Sequence, residues 1–166
     1  MKTKITKSTT YQIDFAHSHI GFSVKHLMIT SIMGIFTQFE EKIVAGRPDF
    51  TDAIIRVEIA SNSLQIQQIN RDAHLKGEDF FDVAGFPKII FQSSTFIQIT
   101  PAYYLLNGTL TIRHIQEPVQ LKVFYKVKSI DMKGDIKPGF KLKGTISRNE
   151  CGLFWNQLTA SGSINC

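Results

Sequence analysis

Apolar and polar residues alternate along most of this chain, as they do in strands that have one buried face. In residues 119–128 every second residue is apolar, and lysine or glutamine fills most positions between them. Successive side chains of a strand point to opposite faces, so this stretch predicts a sheet with a dry side and a wet side. The alternation predicts further strands at residues 11–15, 19–26, 34–44, 52–60 and 104–112, from residue 87, at residues 140–147 and from residue 153 onward.

The alternation fails over residues 61–82, where we expect the one short helix around residues 69–76, with its helical turns at Arg71–Lys76. Asn70 is the predicted N-cap of this helix. The proline-containing segments 47–49, 117–118 and 137–139 are predicted to be turns. Phe36 and Phe39 are out of phase with each other in one strand, which predicts a bulge there.

These elements indicate an all-β protein with a single domain at residues 11–166, after a disordered segment at residues 1–10. Eight or so antiparallel strands joined by short turns form either a sandwich or a closed barrel. An eight-stranded barrel is just filled by its own side chains or holds one small ligand. The sequence leaves two interpretations of Gly108 and Gly144 on the dry face: each vacates space for a guest, or each marks a sharp bend.

Composition and charge narrow the function classes. The 166 residues carry a net charge of +5, and lysines crowd the last third at positions 122, 126, 128, 133, 137, 141 and 143. We interpret them as the solvated faces of two neighbouring strands, because no motif for nucleic-acid binding accompanies them. No apolar run is long enough for a membrane helix, and the start of the chain lacks a signal peptide's apolar core. The expected location is cytoplasmic, or periplasmic if a leader has been removed.

Candidate catalytic chemistry is sparse. His17 and His19 share a strand face, and with His26 they would make a possible metal site, but His19 and His26 fall in opposite phases. Ser18 points away from its neighbour His17, and no nucleophile elbow occurs. Glu40 and Glu41 are interpreted as solvated surface. We therefore assign no catalytic residue, metal ligand or cofactor.

Seven short motifs follow one another in a fixed order over about residues 11–153. They are Tyr11-x-x-Asp14-x-x-His17-Ser18-x-x-x-Phe22-x-x-x-His26-Leu27, Gly34-x-Phe36-x-x-Phe39, Arg71-Asp72-x-His74-Leu75-x-x-x-Asp79-Phe80-Phe81-Asp82, Phe86-Pro87-x-Ile89-x-Phe91-x-Ser93, Gly108-x-Leu110-Thr111-Ile112, Pro118-Val119 and Gly139-Phe140. In this order they resemble the YceI-like family, also called polyisoprenoid-binding or lipid-binding YceI domains.

The resemblance implies an extended eight-stranded antiparallel barrel, similar to a lipocalin, with a long apolar tunnel. It further implies an isoprenoid or related amphipathic lipid as ligand, and a homodimer. The family pattern continues into a longer last strand than this chain has before Cys166, so either the final strand is short here or the sequence is truncated. In both cases an unpaired edge would remain where the barrel closes.

The residues expected to line the tunnel share the dry phase of the predicted strands. They are Ile20, Phe22, Val24, His26, Ile55, Val57, Phe91, Leu106, Gly108, Leu110, Val123, Tyr125, Phe140 and Leu142. Arg71, His74 and Arg148 are the candidates for contact with a lipid headgroup. An inward arginine needs a carboxylate or an anionic ligand group, since a lone buried charge is costly.

The sequence therefore favours a protein that sequesters or carries a polyprenyl or fatty-acyl lipid. Two alternatives stay open at this point. One is a metal- or histidine-dependent enzyme in the same barrel, and the other is a filled β-domain that acts through protein contacts.

Overall fold

Antiparallel strands dominate the structure, as the alternation predicts. The computed structural model describes residues 8–26, 30–130, 132–134, 136–147, 150, 151, 153 and 163–165. The strands in these residues are β1 (Thr9–Tyr11), β2 (Ile20–His26), β3 (Thr30–Phe36), β4 (Phe39–Ala45), β5 (Ile54–Ala60), β6 (Leu64–Gln65), β7 (Lys88–Thr100), β8 (Tyr103–Ile112), β9 (Ile115–Ile130), β10 (Ile136–Lys143), β11 (Thr145–Ser147) and β12 (Ser163–Asn165). The helix α1 (Ile69–Lys76) lies where the one short helix was expected, and single turns of 3-10 helix lie at Phe15–His17 and Ser61–Ser63.

The strands form one barrel from two antiparallel sheets. The larger sheet has the order β1-β4-β5-β7-β8-β9-β10, and the smaller has the order β11-β12-β2-β3-β6. Four bent runs pass from one sheet to the other, namely β1–β2, β3–β4, β5–β6 and β10–β11. When each bent run is counted as one strand, the barrel has eight strands. The barrel closes because β12 pairs with β11 on one side and with β2 on the other. The eight-stranded antiparallel barrel is thus confirmed, and Ser163–Asn165 is the part of its last strand that lies within the described residues.

The start of the barrel differs from the sequence prediction. Strand β1 begins at Thr9, inside the segment expected to be disordered, while residues 1–7 lie outside the described part of the chain. The strand predicted at residues 11–15 ends at Tyr11. The Asp14 side chain accepts a hydrogen bond from the Ala16 N–H at 3.2 Å, which turns the chain into a 3-10 turn. A short polar side chain that binds its own backbone competes with the extended strand in this way.

Two prolines that predicted turns lie inside strands. Pro118 belongs to β9 and Pro138 to β10, so both turn predictions are wrong. Strand β9 pairs with β10 only from Lys122 onward, so Pro118, which precedes Lys122, has no partner on the β10 side. Pro138 lies at a register shift between β9 and β10. Unpaired edges and bulges are the places where a sheet tolerates a residue without an N–H. The turn between β8 and β9 is made instead by Arg113, with a positive φ of 55°, and the next residue.

The predicted bulge around Phe36 and Phe39 is a corner where one strand changes sheets. The strand breaks at Thr37 and Gln38, and the Thr37 N–H donates to the Ser63 carbonyl at 3.2 Å.

The helix α1 begins after Gln68, so the N-cap prediction for Asn70 is wrong.

The end of the barrel near α1 is filled by the protein's own side chains. Leu75 of α1 and the adjacent Phe80 and Phe81 are buried, and the Phe81 ring meets Phe36 edge-on at 6.1 Å between centroids. These side chains join a core of strand residues from both sheets. One end of the interior is therefore packed as in any globular protein.

An exposed charge cluster lies on the outer face of β5. Arg56 Nη2 is 2.9 Å from Glu58 Oε1, and Lys88 Nζ contacts Glu58 Oε2. The hydrogen bonds from Lys88 and Arg56 lower the pKa of Glu58, and the bond to Glu58 raises the pKa of Lys88.

We expect Glu58→Gln to cost a small, pH-dependent part of the stability, because water screens exposed pairs. A carboxyl group with a lowered pKa stabilises the fold at pH values above its usual pKa, and this stabilisation is lost as the pH falls through the lowered pKa. A lysine with a raised pKa stabilises the fold at pH values below its usual pKa, and this stabilisation is lost as the pH rises through the raised pKa. Urea unfolding should show the largest difference between wild type and variant from about pH 6 to about pH 9, and little at about pH 3. A difference independent of pH would contradict this assignment.

Candidate ligand-binding site

The strand register fixes which side chains of β9 and β10 face the barrel interior. Val123 is 2% exposed and pairs with Leu142, and Tyr125 pairs with Phe140. Paired residues of antiparallel strands project from the same face of the sheet. Leu142 and Phe140 therefore face inward, yet they are 43% and 41% exposed. Apolar surface inside this part of the barrel is left uncovered.

The residues predicted to line the tunnel divide into three groups. Phe91, Leu106, Leu110 and Val123 are buried in the core, where they fill space themselves. A second group is half-buried and packs against that core: Ile20, Phe22, Val24, Ile55, Val57 and Tyr125. Phe140 and Leu142 form the third, exposed group. His26 lies in β2, but its side chain is outside the described residues.

The prediction that inward glycines vacate room for a guest is wrong. A Cβ on Gly108 would lie 2.4 Å from the Gln92 carbonyl oxygen and 2.6 Å from Cζ of Phe91, so the Phe91 ring already covers that glycine. A Cβ on Gly144 would lie 2.3 Å from Cδ2 of Leu121. Gly144 separates β10 from β11, which agrees with the other interpretation, a bend.

Four aromatic side chains bridge the two edges of the seven-stranded sheet. The rings of Tyr11 and Phe50 are 5.0 Å apart between centroids, those of Phe50 and Phe140 are 5.9 Å apart, and those of Phe140 and Tyr125 are 5.4 Å apart. We call these four residues the aromatic bridge. Tyr11 belongs to edge strand β1 and Phe140 to edge strand β10. Within the described residues no backbone pairing joins β1 to β10, so side chains close this gap, which we call the seam.

Phe50 is held in the bridge by an unusual turn between β4 and β5. Its φ is 58°, and its N–H donates to the Arg47 carbonyl at 3.1 Å. The Asp52 carboxylate accepts the N–H groups of Gly46 and Arg47 at 3.0 Å. Sequence reasoning missed Phe50, although a large aromatic residue beside Asp49 in a predicted turn was a usable signal.

Glu41 places a carboxylate on the inner face. It pairs with inward-facing Val57 and shares the phase of Phe39 and Ile43, so its interpretation as solvated surface is wrong. Its Oε1 accepts the Ile13 N–H at 2.8 Å. Its Oε2 is buried and has no hydrogen-bond partner among the described residues. An acceptor in an apolar interior is the kind of group that orients a ligand.

The predicted headgroup residues are not brought to the aromatic bridge. Arg71 and His74 are exposed on α1, which packs on β6 beyond the Ala60 end of β5. Phe50 precedes the opposite end of β5, at Ile54. Arg148 lies outside the described residues.

The alternative metal and histidine chemistries depend on how the candidate side chains are placed. Among the described residues, no group of three His, Cys, Asp or Glu side chains is placed to hold a metal ion. His19 is exposed, and the side chain of His17 is not described. No helix in the described residues is long and apolar enough to cross a membrane.

Known proteins share this sequence pattern and this barrel. The family model described as "YceI-like domain" matches residues 11–165. A UPF0312 protein of Staphylococcus aureus is 31% identical over 157 residues, which cover 94% of this chain and 89% of the relative. The crystal structure of the YceI protein of Campylobacter jejuni superimposes with a TM-score of 0.73 at 25% identity, with 94% of each chain covered. A polyisoprenoid-binding domain from Saccharophagus degradans has the same fold, with a TM-score of 0.59 at 11% identity and 89% of each chain covered.

Proposed function

The chain belongs to the YceI-like family, and from this premise we propose that it binds an isoprenoid or another long-chain amphipathic lipid inside its barrel. The observation that carries the proposal is the uncovered inward surface of Phe140 and Leu142 beside the aromatic bridge. The tail would lie against these residues and the half-buried Ile55 and Val57. The seam would be the access route, because side chains bridge it and, among the described residues, no strand pairing joins β1 to β10.

A known domain with this fold supports the choice of ligand. The Saccharophagus degradans structure that shares the barrel is described as a polyisoprenoid-binding domain. At 11% identity the likeness shows a shared fold, and the lipid bound by this chain is our proposal. We further propose that the protein carries or stores the lipid, that it forms a homodimer and that it is cytoplasmic.

The physical basis of binding would be burial of the tail. Each CH₂ group removed from water contributes about 0.8 kcal/mol, so chain length dominates the affinity. The unpaired Oε2 of Glu41 would accept a hydrogen bond from a hydroxyl group of the ligand. We therefore propose binding of a neutral alcohol or similar lipid, without a catalytic step.

Native mass spectrometry of the purified protein tests the proposal directly. We expect a retained lipid, or, after delipidation, a stoichiometric complex with a long-chain polyprenol. A bare polypeptide that binds neither a polyprenol nor a fatty acid would overturn the proposal and favour the filled β-domain. A stoichiometric metal ion would favour the enzyme instead.

We expect Leu142→Trp to lower the occupancy of long-chain polyprenol, because the added indole fills the uncovered inward surface. Leu142 is 43% exposed, so the larger side chain has room without unfolding the barrel. The control is Ile54→Trp, which adds a similar ring at a position that is 60% exposed, next to inward-facing Ile55. Native mass spectra at equal lipid concentration measure the occupancy. Equal occupancy in both variants would argue against a ligand in this part of the barrel.

A further inference from the structure

A basic and apolar surface covers the outer face of β7 to β10, next to the seam. Tyr104 and Val123 are buried inside the barrel, so their neighbours Tyr103, Leu105 and Phe124 project outward. Ile97 pairs with Leu105 on the same outer face. We call the following set the lysine face: Ile97, Ile99, Tyr103, Leu105, Phe124, Lys122, Lys126, Lys141 and Lys143.

The apolar part of the lysine face is exposed enough to contact a partner. Ile97 is 46% exposed and Ile99, beside a register shift of β7, is 51% exposed. The rings of Tyr103 and Phe124 lie side by side, with centroids 5.3 Å apart. Aromatic and aliphatic groups of this kind enter the boundary between lipid headgroups and acyl chains.

The charged part of the lysine face is a continuous row on the two adjacent strands. Lys122 pairs directly with Lys143, and Lys141 pairs with outward-facing Phe124. Strands β7, β8 and β10 contain no Asp or Glu, and Glu117 of β9 pairs with inward-facing Leu110. None of these four lysines forms a salt bridge with a residue that the structure describes. Like charges placed side by side are costly, so the arrangement favours an anionic partner surface.

We propose that the lysine face docks on a bilayer that contains anionic phospholipid. Charge complementarity selects this partner: the ammonium groups meet the headgroup charge, and the adjacent apolar side chains meet the upper acyl region. The sequence interpretation of these lysines as solvated surface does not account for the apolar residues in the same rows. The surface goes beyond ligand binding in the lumen, but it has a consequence for it. Edge strand β10 carries both Lys141 and Phe140, so docking would bring the seam close to the membrane.

Co-sedimentation with vesicles tests the docking surface. We expect the protein to bind phosphatidylcholine vesicles that contain about one third phosphatidylglycerol, more weakly at about 0.5 M than at about 0.1 M salt, and pure phosphatidylcholine far less. The double variant Lys122→Gln/Lys143→Gln should weaken binding by about 25-fold, at about five-fold for each lysine. The matched control Lys42→Gln/Lys76→Gln removes the same charge elsewhere and should change binding by less than about three-fold.

Three outcomes would overturn this proposal. The first is an equal loss in the control double variant, and the second is equal binding to neutral and anionic vesicles. The third is tighter binding to a duplex oligonucleotide than to the anionic vesicles. Circular dichroism and thermal melting establish that both double variants are folded. Polyprenol occupancy, measured by native mass spectrometry without vesicles, should stay at the wild-type level in both variants, which separates failure of docking from failure of lumen binding.

Discussion

Gly108→Ala should destabilise the barrel by about 3 kcal/mol, the upper range for forcing atoms into a packed interior. The new methyl carbon would lie 2.4 Å from the Gln92 carbonyl oxygen and 2.6 Å from the Phe91 ring. A ring can rotate away from such a contact, but Gln92 is paired backbone of β7, so two strands must move apart. Urea unfolding followed by circular dichroism measures the loss of stability. A variant that is already unfolded without urea would also agree with the prediction.

The matched control for this variant is Gly21→Ala. Gly21 also lies within a strand, but its Cβ would point to the outer face, 3.3 Å from the Gly34 carbonyl oxygen. A contact of that length needs only a small adjustment, so we expect a change within about 1 kcal/mol. If both variants lose the same stability, the close packing of Phe91 on Gly108 is not what fixes this glycine.

Leu106→Ala should cost between about 2 and about 5 kcal/mol, whereas Leu142→Ala should cost less than about 1 kcal/mol. Both leucines face inward and both were expected to line a tunnel. Leu106 is 1% exposed and packed on all sides, while Leu142 is 43% exposed. The first substitution leaves a cavity in a filled core, and the second removes a side chain that already has open space beside it.

The same urea titrations decide between a barrel that is filled throughout and one that is filled at one end. Equal losses at Leu106 and Leu142 would mean that the interior around Leu142 is packed as tightly as the core, and the binding proposal would lose its main support. The two variants remove the same atoms, so differences in side-chain chemistry do not enter the comparison.

Much of the fold follows from the sequence, because the alternation in residues such as those of β8 and β9 is local. The position of the helix, its end at Lys76 and the inward phase of Leu106, Val123 and Phe140 were predicted correctly. Prolines misled the prediction, since Pro118 and Pro138 occupy an edge and a bulge instead of turns. Whether a proline starts a turn or sits at an unpaired position depends on the neighbouring strand, which one segment of sequence does not reveal.

The candidate site was less predictable than the fold. The alternation along each strand predicts that Leu106 and Leu142 face inward. It does not predict which of the two leucines is covered by other side chains. The aromatic bridge joins Tyr11, Phe50 and Phe140, which are far apart in the sequence and meet only when the sheet curls. Glu41 could have been found, because it shares the phase of Phe39 and Ile43, but its neighbour Glu40 made the pair look like surface.

The aromatic bridge also bears on how such a barrel can diversify. Among the described residues no main-chain hydrogen bonds join β1 to β10, so substitutions at Tyr11, Phe50 and Phe140 would alter the proposed access route and leave the described strand pairing in place. Under the proposed function, a change of lipid would therefore require substitutions at only a few aromatic rings. Proteins built on this barrel could then differ in the lipid that they accept and keep the same strand pairing.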